Sequence, residues 1–520
     1  MARFSLEAVA ALVSILALPA SGQTEYQSIV SNDHDKGDRF GISMDSDATR
    51  ILVGSRGDDE AGLNTGAAYL FDLATGQQLA KFMASDAQTG DRFGWSVALD
   101  GNHALIGARD NGPGAAYLFD VVTGQELYRF SPASLSADAN FGDAVALADG
   151  YALIGASRDD VVSPFAGSAH LFETTTGTLV ASLQPPELTF ASTYGVGVAL
   201  AGGRAYVGAP HQAGGAGKVY EYDLAGQELR TWNGIGTARL GQRLAADQGR
   251  LAVTSLYGSG GIVPSTVVLI DLATSAVVQT FDDPLADPNT RFGFWSIALD
   301  GDRLIVGASD ANVGAVGSGT AWVFDTETGS LLFQLTPSVV GLDDFAGTSV
   351  AVVDSTYLVG VPEQDVPANS GEVLAFRPEA YVYCTAKTNS LGCLPQVTMT
   401  GFASLTSANP QQVVGTDFAS FRNGLLFYGT TGEIAAPFLG GTLCTMPPLR
   451  YAPVMNSGGG APGDCSGLYA FDFRAWLQQG VDAGLVAGVT VRAQYWARDP
   501  AIADGTGSSV SNAVGFTIGI

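Results

Sequence analysis

The chain is organised by short runs of alternating apolar and polar residues that recur along its first two thirds. In one copy, Trp95, Val97 and Leu99 alternate with Ser96 and Ala98, and Asp100-Gly101 breaks the run. Alternation of period two marks a half-buried strand, and Asp-Gly is a favoured hairpin turn. A second run, His103 to Ala108, follows directly. After a longer polar stretch comes Ala115 to Phe119, then Thr123-Gly124 as a turn, then Gln125 to Phe130. The pattern predicts four antiparallel strands, A to D, in each copy.

Seven copies are visible, anchored at Phe40, Phe93, Phe141, Tyr194, Leu240, Phe292 and Phe345, at spacings of 53, 48, 53, 46, 52 and 53 residues. Four-stranded units at this period predict a β-propeller. The seventh copy has strand C (Glu372 to Phe376) but no strand D before Pro378. Glu25 to Val30 aligns with the D strand Gln78 to Met83, so the first strand is expected to complete the last unit. That closure would hide the edges that an open array leaves unpaired. The expectation is an all-β fold: a seven-bladed β-propeller over 23–378, closed by an N-terminal strand.

The recurring string FG…SVAL…ALIGA…GAAYLFD resembles the FG-GAP repeats of integrin α heads and of many exported bacterial proteins. The resemblance implies extracellular binding or adhesion, and in some members calcium. Members that bind calcium carry DxDxDGxxD between strands A and B. Here those links are nearly two-residue turns such as Asp100-Gly101-Asn102, too short to wrap an ion needing six to eight oxygens.

The ends and the remaining chemistry refine the picture. Residues 1–22 read as a secretory signal: Arg3, an apolar run from Ala8 to Leu18, then small residues, with cleavage after Ala20 or Gly22. No later stretch is apolar enough to span a bilayer, so a secreted or cell-surface protein is expected. From 379 to 520 the composition changes, opening YCTAKTNSLGC. This resembles a C-terminal module found on exported bacterial proteins with varied N-terminal parts. A disulfide-stapled β-sandwich is expected there, with one short helix at Phe473 to Gln479. Cys384, Cys393, Cys444 and Cys465 are expected to pair as Cys384–Cys393 and Cys444–Cys465, each closing a short loop. Trp476, Tyr495 and Trp496 offer sugar-stacking faces, with burial in a core as the alternative.

The net charge of −26, from 25 basic and 51 acidic residues, excludes a nucleic-acid footprint. The C-terminal region carries only −2 of it, so the acidity lies on the repeats. The long links, B–C and D–A, fall on one face, where function usually sits. From them come the candidate binding residues Asp58, Asp59, Arg109, Asp110, Arg158, Asp159 and His211. Asp33 and Asp35, and separately Asp310 and Asn312, are the candidate metal ligands, with calcium as the cation. Arg56-Gly57-Asp58 spells the tripeptide that integrins read. No nucleophile elbow, metalloprotease helix or phosphate loop occurs in context. The expectation is a non-enzymatic protein that binds an extracellular protein or a polysaccharide. A carbohydrate-active hydrolase or lyase, or a structural envelope component, is the alternative.

Overall fold

The computed structural model describes residues 23–73, 75–160, 162–187, 191–234, 238–247, 249–256, 265–339, 341–353, 356–364, 370–378, 380–400, 412–486 and 489–518. The expected signal segment 1–22 lies outside the described residues. So do Gln248 and Asp354-Ser355, where the repeat pattern expects A–B turns.

Seven antiparallel four-stranded sheets follow one another along 23–378. The first runs Phe40–Ser46, Arg50–Ser55, Ala67–Asp72 and Gln78–Phe82, in that spatial order. Five more repeat this order, with first strands at Ser96–Asp100, Phe141–Ala148, Val198–Ala201, Leu240–Asp247 and Ile297–Asp300. The seventh comprises Val350–Val353, Thr356–Val361 and Glu372–Pro378, and its outer strand is Gln23–Ile29. Thr24 pairs with Arg377, and Ile29 with Val373. The N-terminal strand therefore completes the last sheet, as its sequence predicts.

The A strands touch in cyclic order, and that of the seventh sheet touches that of the first. They line a central cavity of about 900 Å³. Strands B and C are buried almost throughout because a neighbouring sheet covers each face, whereas the outer D strands alternate. A strand covered on both sides needs an unbroken apolar run, and LIVG and AYLF supply it.

Adjacent sheets approach most closely at a glycine in strand B. A Cβ on Gly107 would lie 2.2 Å from the Gly142 carbonyl oxygen of the next sheet. The fifth sheet has Thr254 there, and the sixth accommodates it with one extra residue, reading Phe292-Gly293-Phe294-Trp295-Ser296 where the second reads Phe93-Gly94-Trp95-Ser96. Single backbone bridges also join neighbours: Gly66 to Phe93, Gly114 to Phe141, and onward to Gly319 with Ala346. This corrects the last anchor, which is Ala346 and not Phe345. Phe345, at φ 55°, takes the left-handed place held by Arg39, Arg92 and Arg291 before the other anchors.

The C-terminal region has a six-stranded sheet that includes Tyr381–Tyr383, Asn423–Gly429, Thr490–Arg498 and Ser508–Thr517. A three-stranded sheet, Gln396–Thr400, Gln412–Phe418 and Gly467–Asp472, shares one core with it through Val397, Val413, Leu426, Tyr469 and Tyr495. The helix Phe473–Gln478 is capped by Asp472, whose side chain accepts from the Ala475 amide. Tyr495 is buried and donates to the Val413 carbonyl at 2.7 Å, so it serves the core. Trp476 is half-buried and donates to the Tyr428 hydroxyl.

The disulfides are Cys384–Cys444 and Cys393–Cys465, each with Cα atoms 6.1 Å apart. The expected short-loop pairing is thus wrong. Cys384 ends an edge strand beside the hairpin carrying Cys444, and the Tyr383 hydroxyl donates to the Cys444 carbonyl. Asn389 clasps Cys393 in a tight turn through its backbone amide and its side chain. Its amide also reaches the Asp417 carbonyl, near where Ser420 meets Asp464. Tertiary packing, not loop length, sets the pairs.

Candidate binding face

Because each sheet is antiparallel, the A–B and C–D links fall at one end and the B–C and D–A links at the other. The short end is closed by its own acids. Asp72, Asp120, Asp271 and Asp325 each accept from the amide and hydroxyl of a threonine three residues on. Asp45 accepts from the Leu99 amide and Asp247 from the Gly301 amide, so A–B acids fasten one sheet to the next.

At the long-loop end of the first four sheets a polar relay under the B–C loop holds it in place. In the first sheet the Tyr69 hydroxyl donates to Asp58 at 2.5 Å, and Lys81 Nζ lies 2.9 Å from the same carboxylate. Lys81 also reaches Asp33 at 2.7 Å and Glu60 at 2.5 Å. In the second sheet, Asn111, Tyr117 and Arg129 repeat the arrangement, with Asp86 in the place of Asp33. In the third, Ser168 donates to Asp159 at 2.7 Å, and His170 lies between Ser168 and Ser182. Burial pushes the His170 imidazole down to about 4, so it is neutral at pH 7. In the fourth, the Tyr220 hydroxyl donates to Gln212. The sixth has buried Ala311 at the equivalent place.

These relays reassign several expected site residues. Asp58 is 3% exposed and Asp159 4%, so both are internal fasteners and not ligand contacts. Burial of Asp58 also withdraws the Arg56-Gly57-Asp58 string from display. Asp33 is held by Lys81; against the cost of burial, the hydrogen bonds from Lys81 and Tyr69 keep it below the ordinary carboxylate range. Asp310 pairs with Arg291 at 2.9 Å, and Asn312 accepts from the Gly317 amide. Neither pair of metal candidates gains a third ligand: among the described residues no group of three or more His, Cys, Asp or Glu side chains converges to hold an ion. Asp35 is exposed, and its amide donates to Asp38. Asp59 is exposed and accepts from the Asn64 amide. Arg158 is exposed, 5.9 Å from the Phe165 ring. His211 meets the Thr193 hydroxyl at 2.9 Å, and burial first, then Arg239, lowers its pKa.

Arg109 and Asp110 lead to the channel mouth. Arg109 lies over the Trp95 ring at 3.4 Å and pairs with Asp143 at 2.8 Å. Asp110 pairs with Arg92 at 3.0 Å. Arg56 covers the same indole at 4.5 Å. Arg39 pairs with Glu363, and Trp295 packs edge-on against Phe294. Arg56, Trp95, Arg243, Trp295 and Arg291 all line the cavity.

Residue type alone did not single out these groups, but comparison of copies contains the signal. Ser43, Ser96, Ser296 and Ser349 each donate across to a carbonyl of the following sheet. The fifth copy reads Leu240-Gly241-Gln242-Arg243, placing an arginine where these serines stand. Arg243 donates to the carbonyls of Trp295, Val196 and Gln242 at 2.7, 3.1 and 2.9 Å, tying three sheets together inside the channel.

Comparison with known proteins agrees with the repeat pattern. No curated protein matches the chain. A solved structure described as "KlHsv2 with loop 6CD replaced by a Gly-Ser linker" is similar at 11% identity and a TM-score of 0.42, over 61% of this chain and 88% of that one. The family model described as FG-GAP repeat matches residues 24–71 and 77–119, so this part of the chain carries FG-GAP repeats.

Proposed function

We propose that the seven sheets form a closed seven-bladed β-propeller, followed by a β-sandwich, in an exported protein that binds polysaccharide or protein without catalysing a reaction. Its binding surface is the long-loop face with the channel mouth. One observation carries this reading. The loops of that face stand on buried relays such as Asp58–Tyr69–Lys81, which make them a rigid display around an open cavity. Rigid loops on a stable scaffold lose little entropy on binding. The short-link face, by contrast, spends its acids on its own turns.

The test is an array of bacterial and plant polysaccharides and of extracellular proteins, probed with residues 23–520 in calcium and again in excess chelator. Retention of a ligand without its turnover, lost on replacing long-loop residues but not turn residues, is the expected result. Cleavage of a bound glycan would make the protein a hydrolase or lyase. Binding that vanishes in chelator would restore a cation to the site.

A further inference from the structure

Trp95 stands at the mouth of the central channel with two guanidinium groups on its ring, Arg109 at 3.4 Å and Arg56 at 4.5 Å. Their donors are incompletely used. Arg109 commits Nη1 to Asp143, while its buried Nε lies 3.8 Å from Asp110 without a hydrogen-bond acceptor. Arg56 is half-buried and, among the described residues, makes neither an ion pair nor a hydrogen bond.

The surrounding charges do not neutralise it. The strongest charged neighbours of Arg56 are three cations, Arg39, Arg92 and Arg109, and one carboxylate, Glu363. Burial first and these cations second bring the Arg56 guanidinium down to about 10. Glu363, Asp110 and Asp143 are each already bonded to an arginine, Arg39, Arg92 and Arg109 respectively. Arg243, also lining the cavity, is bonded to carbonyls and has no carboxylate within ion-pair distance among the described residues. Around the mouth, Arg39, Arg56, Arg92, Arg109, Arg243 and Arg291 outnumber Glu363, Asp110, Asp143 and Asp310, whereas Asp45, Asp47, Asp247 and Asp300 line the rest of the cavity, in a chain whose net charge is −26.

Half-buried arginines with open donors are complementary to a planar oxyanion, whose two oxygens match the guanidinium fork. The half-buried indole of Trp295, with Arg291 5.9 Å from its ring, lines the same cavity and offers an apolar ring face there. Charged donors next to an indole suit a sugar that carries a carboxylate. Resting on the reading of the long-loop face given above, we propose that the channel mouth binds the carboxylate of a uronate sugar, with Arg56 and Arg109 as its ion partners. The acidic exterior repels a long polyanion. The site therefore takes a chain end or a short uronate oligomer.

Tryptophan fluorescence of residues 23–520 would be titrated with tetragalacturonate, with maltotetraose and tetraglutamate as comparators. Saturable binding of tetragalacturonate alone is expected. It should weaken at least about tenfold in Arg56→Gln, less in Arg56→Lys, and not in Arg498→Gln, an exposed arginine of the C-terminal region. Arg56 has no fold-holding hydrogen bond, so an unchanged melting midpoint is expected to accompany the lost affinity. Wild-type affinity in Arg56→Gln, or binding of tetraglutamate alone, overturns the proposal. If other polysaccharides still bind the array in that case, the broader reading stands; if nothing on the array binds, both fall.

Discussion

Asp38 is 3% exposed beneath the first D–A loop, and its carboxylate accepts from the Asp35 amide at 2.7 Å. Burial, then the neighbouring charges of Asp58, Asp35 and Asp59, raise it to about 6 against the backbone hydrogen bond. The folded state therefore holds a proton that the unfolded chain releases near pH 4. This group's contribution is favourable below pH 4 and is lost as pH rises through 6. Asp38→Asn keeps an acceptor for the Asp35 amide and removes the charge. It should stabilise the protein by about 1–2 kcal/mol at pH 8 and change it little at pH 4. Thermal melts at the two pH values check this; an equal effect at both would show that the charge is not the cause. Asp58 and Asp159 illustrate the same point at neighbouring loops. Their type suggested ligand contacts, but burial makes them supports, and sequence alone cannot distinguish an acid pointing outward from one folded under its own loop.

At the scale of the strand, the repeat was readable because each position has one physical duty. Strands B and C appear as unbroken apolar runs because two sheets cover them, and Asp-Gly and Thr-Gly mark the turns. The clasp from Gln23 to Ile29 could be inferred because the seventh copy lacked a D strand. The disulfides could not, since they depend on how a hairpin packs against a sheet edge, and nothing in the spacing of Cys384 and Cys444 records that. The channel arginines were half-legible: Arg243 departs from a serine position, but its three carbonyl partners come from three sheets. The strand B glycines are the sharpest local requirement. Gly107→Ala would drive a methyl group toward the Gly142 carbonyl, 2.2 Å away, and force adjacent sheets apart. A loss of about 2–3 kcal/mol is expected in chemical denaturation. The fifth sheet tolerates Thr254 with the extra residue of the sheet that follows it, so Gly107→Ala combined with one residue inserted between Gly142 and Asp143 of the third sheet should recover part of that loss. No recovery would mean that the insertion near Trp295 has another origin.

At the scale of the molecule, stability rests on closure. Each of the seven sheets is covered by two neighbours, and removal of any contact opens two faces at once. The strand Gln23–Ile29 joins the start of the repeat region to its end, seated against Glu372–Pro378. Ile29 is 1% exposed, Ser28 donates to Glu372, and the Glu25 carboxylate accepts from the Ser338 amide. A chain beginning at residue 31 would lose this strand's ladder and the burial of Ile29. A cost of the order of 3–5 kcal/mol follows from one buried isoleucine and a few backbone hydrogen bonds. The strand Glu372–Pro378 would also become a free edge, and free edges pair with other chains. The truncated protein should therefore melt lower and self-associate in light scattering at micromolar concentration. A peptide of residues 23–30, added in excess, should restore the monomer and raise the midpoint, because a ligand for the folded state stabilises it by mass action. A truncated protein that stays monomeric with an unchanged midpoint would show that the ring is held by the inner strands alone. Ser349, which donates to the Gly41 carbonyl across the same joint, would then be the next contact to remove.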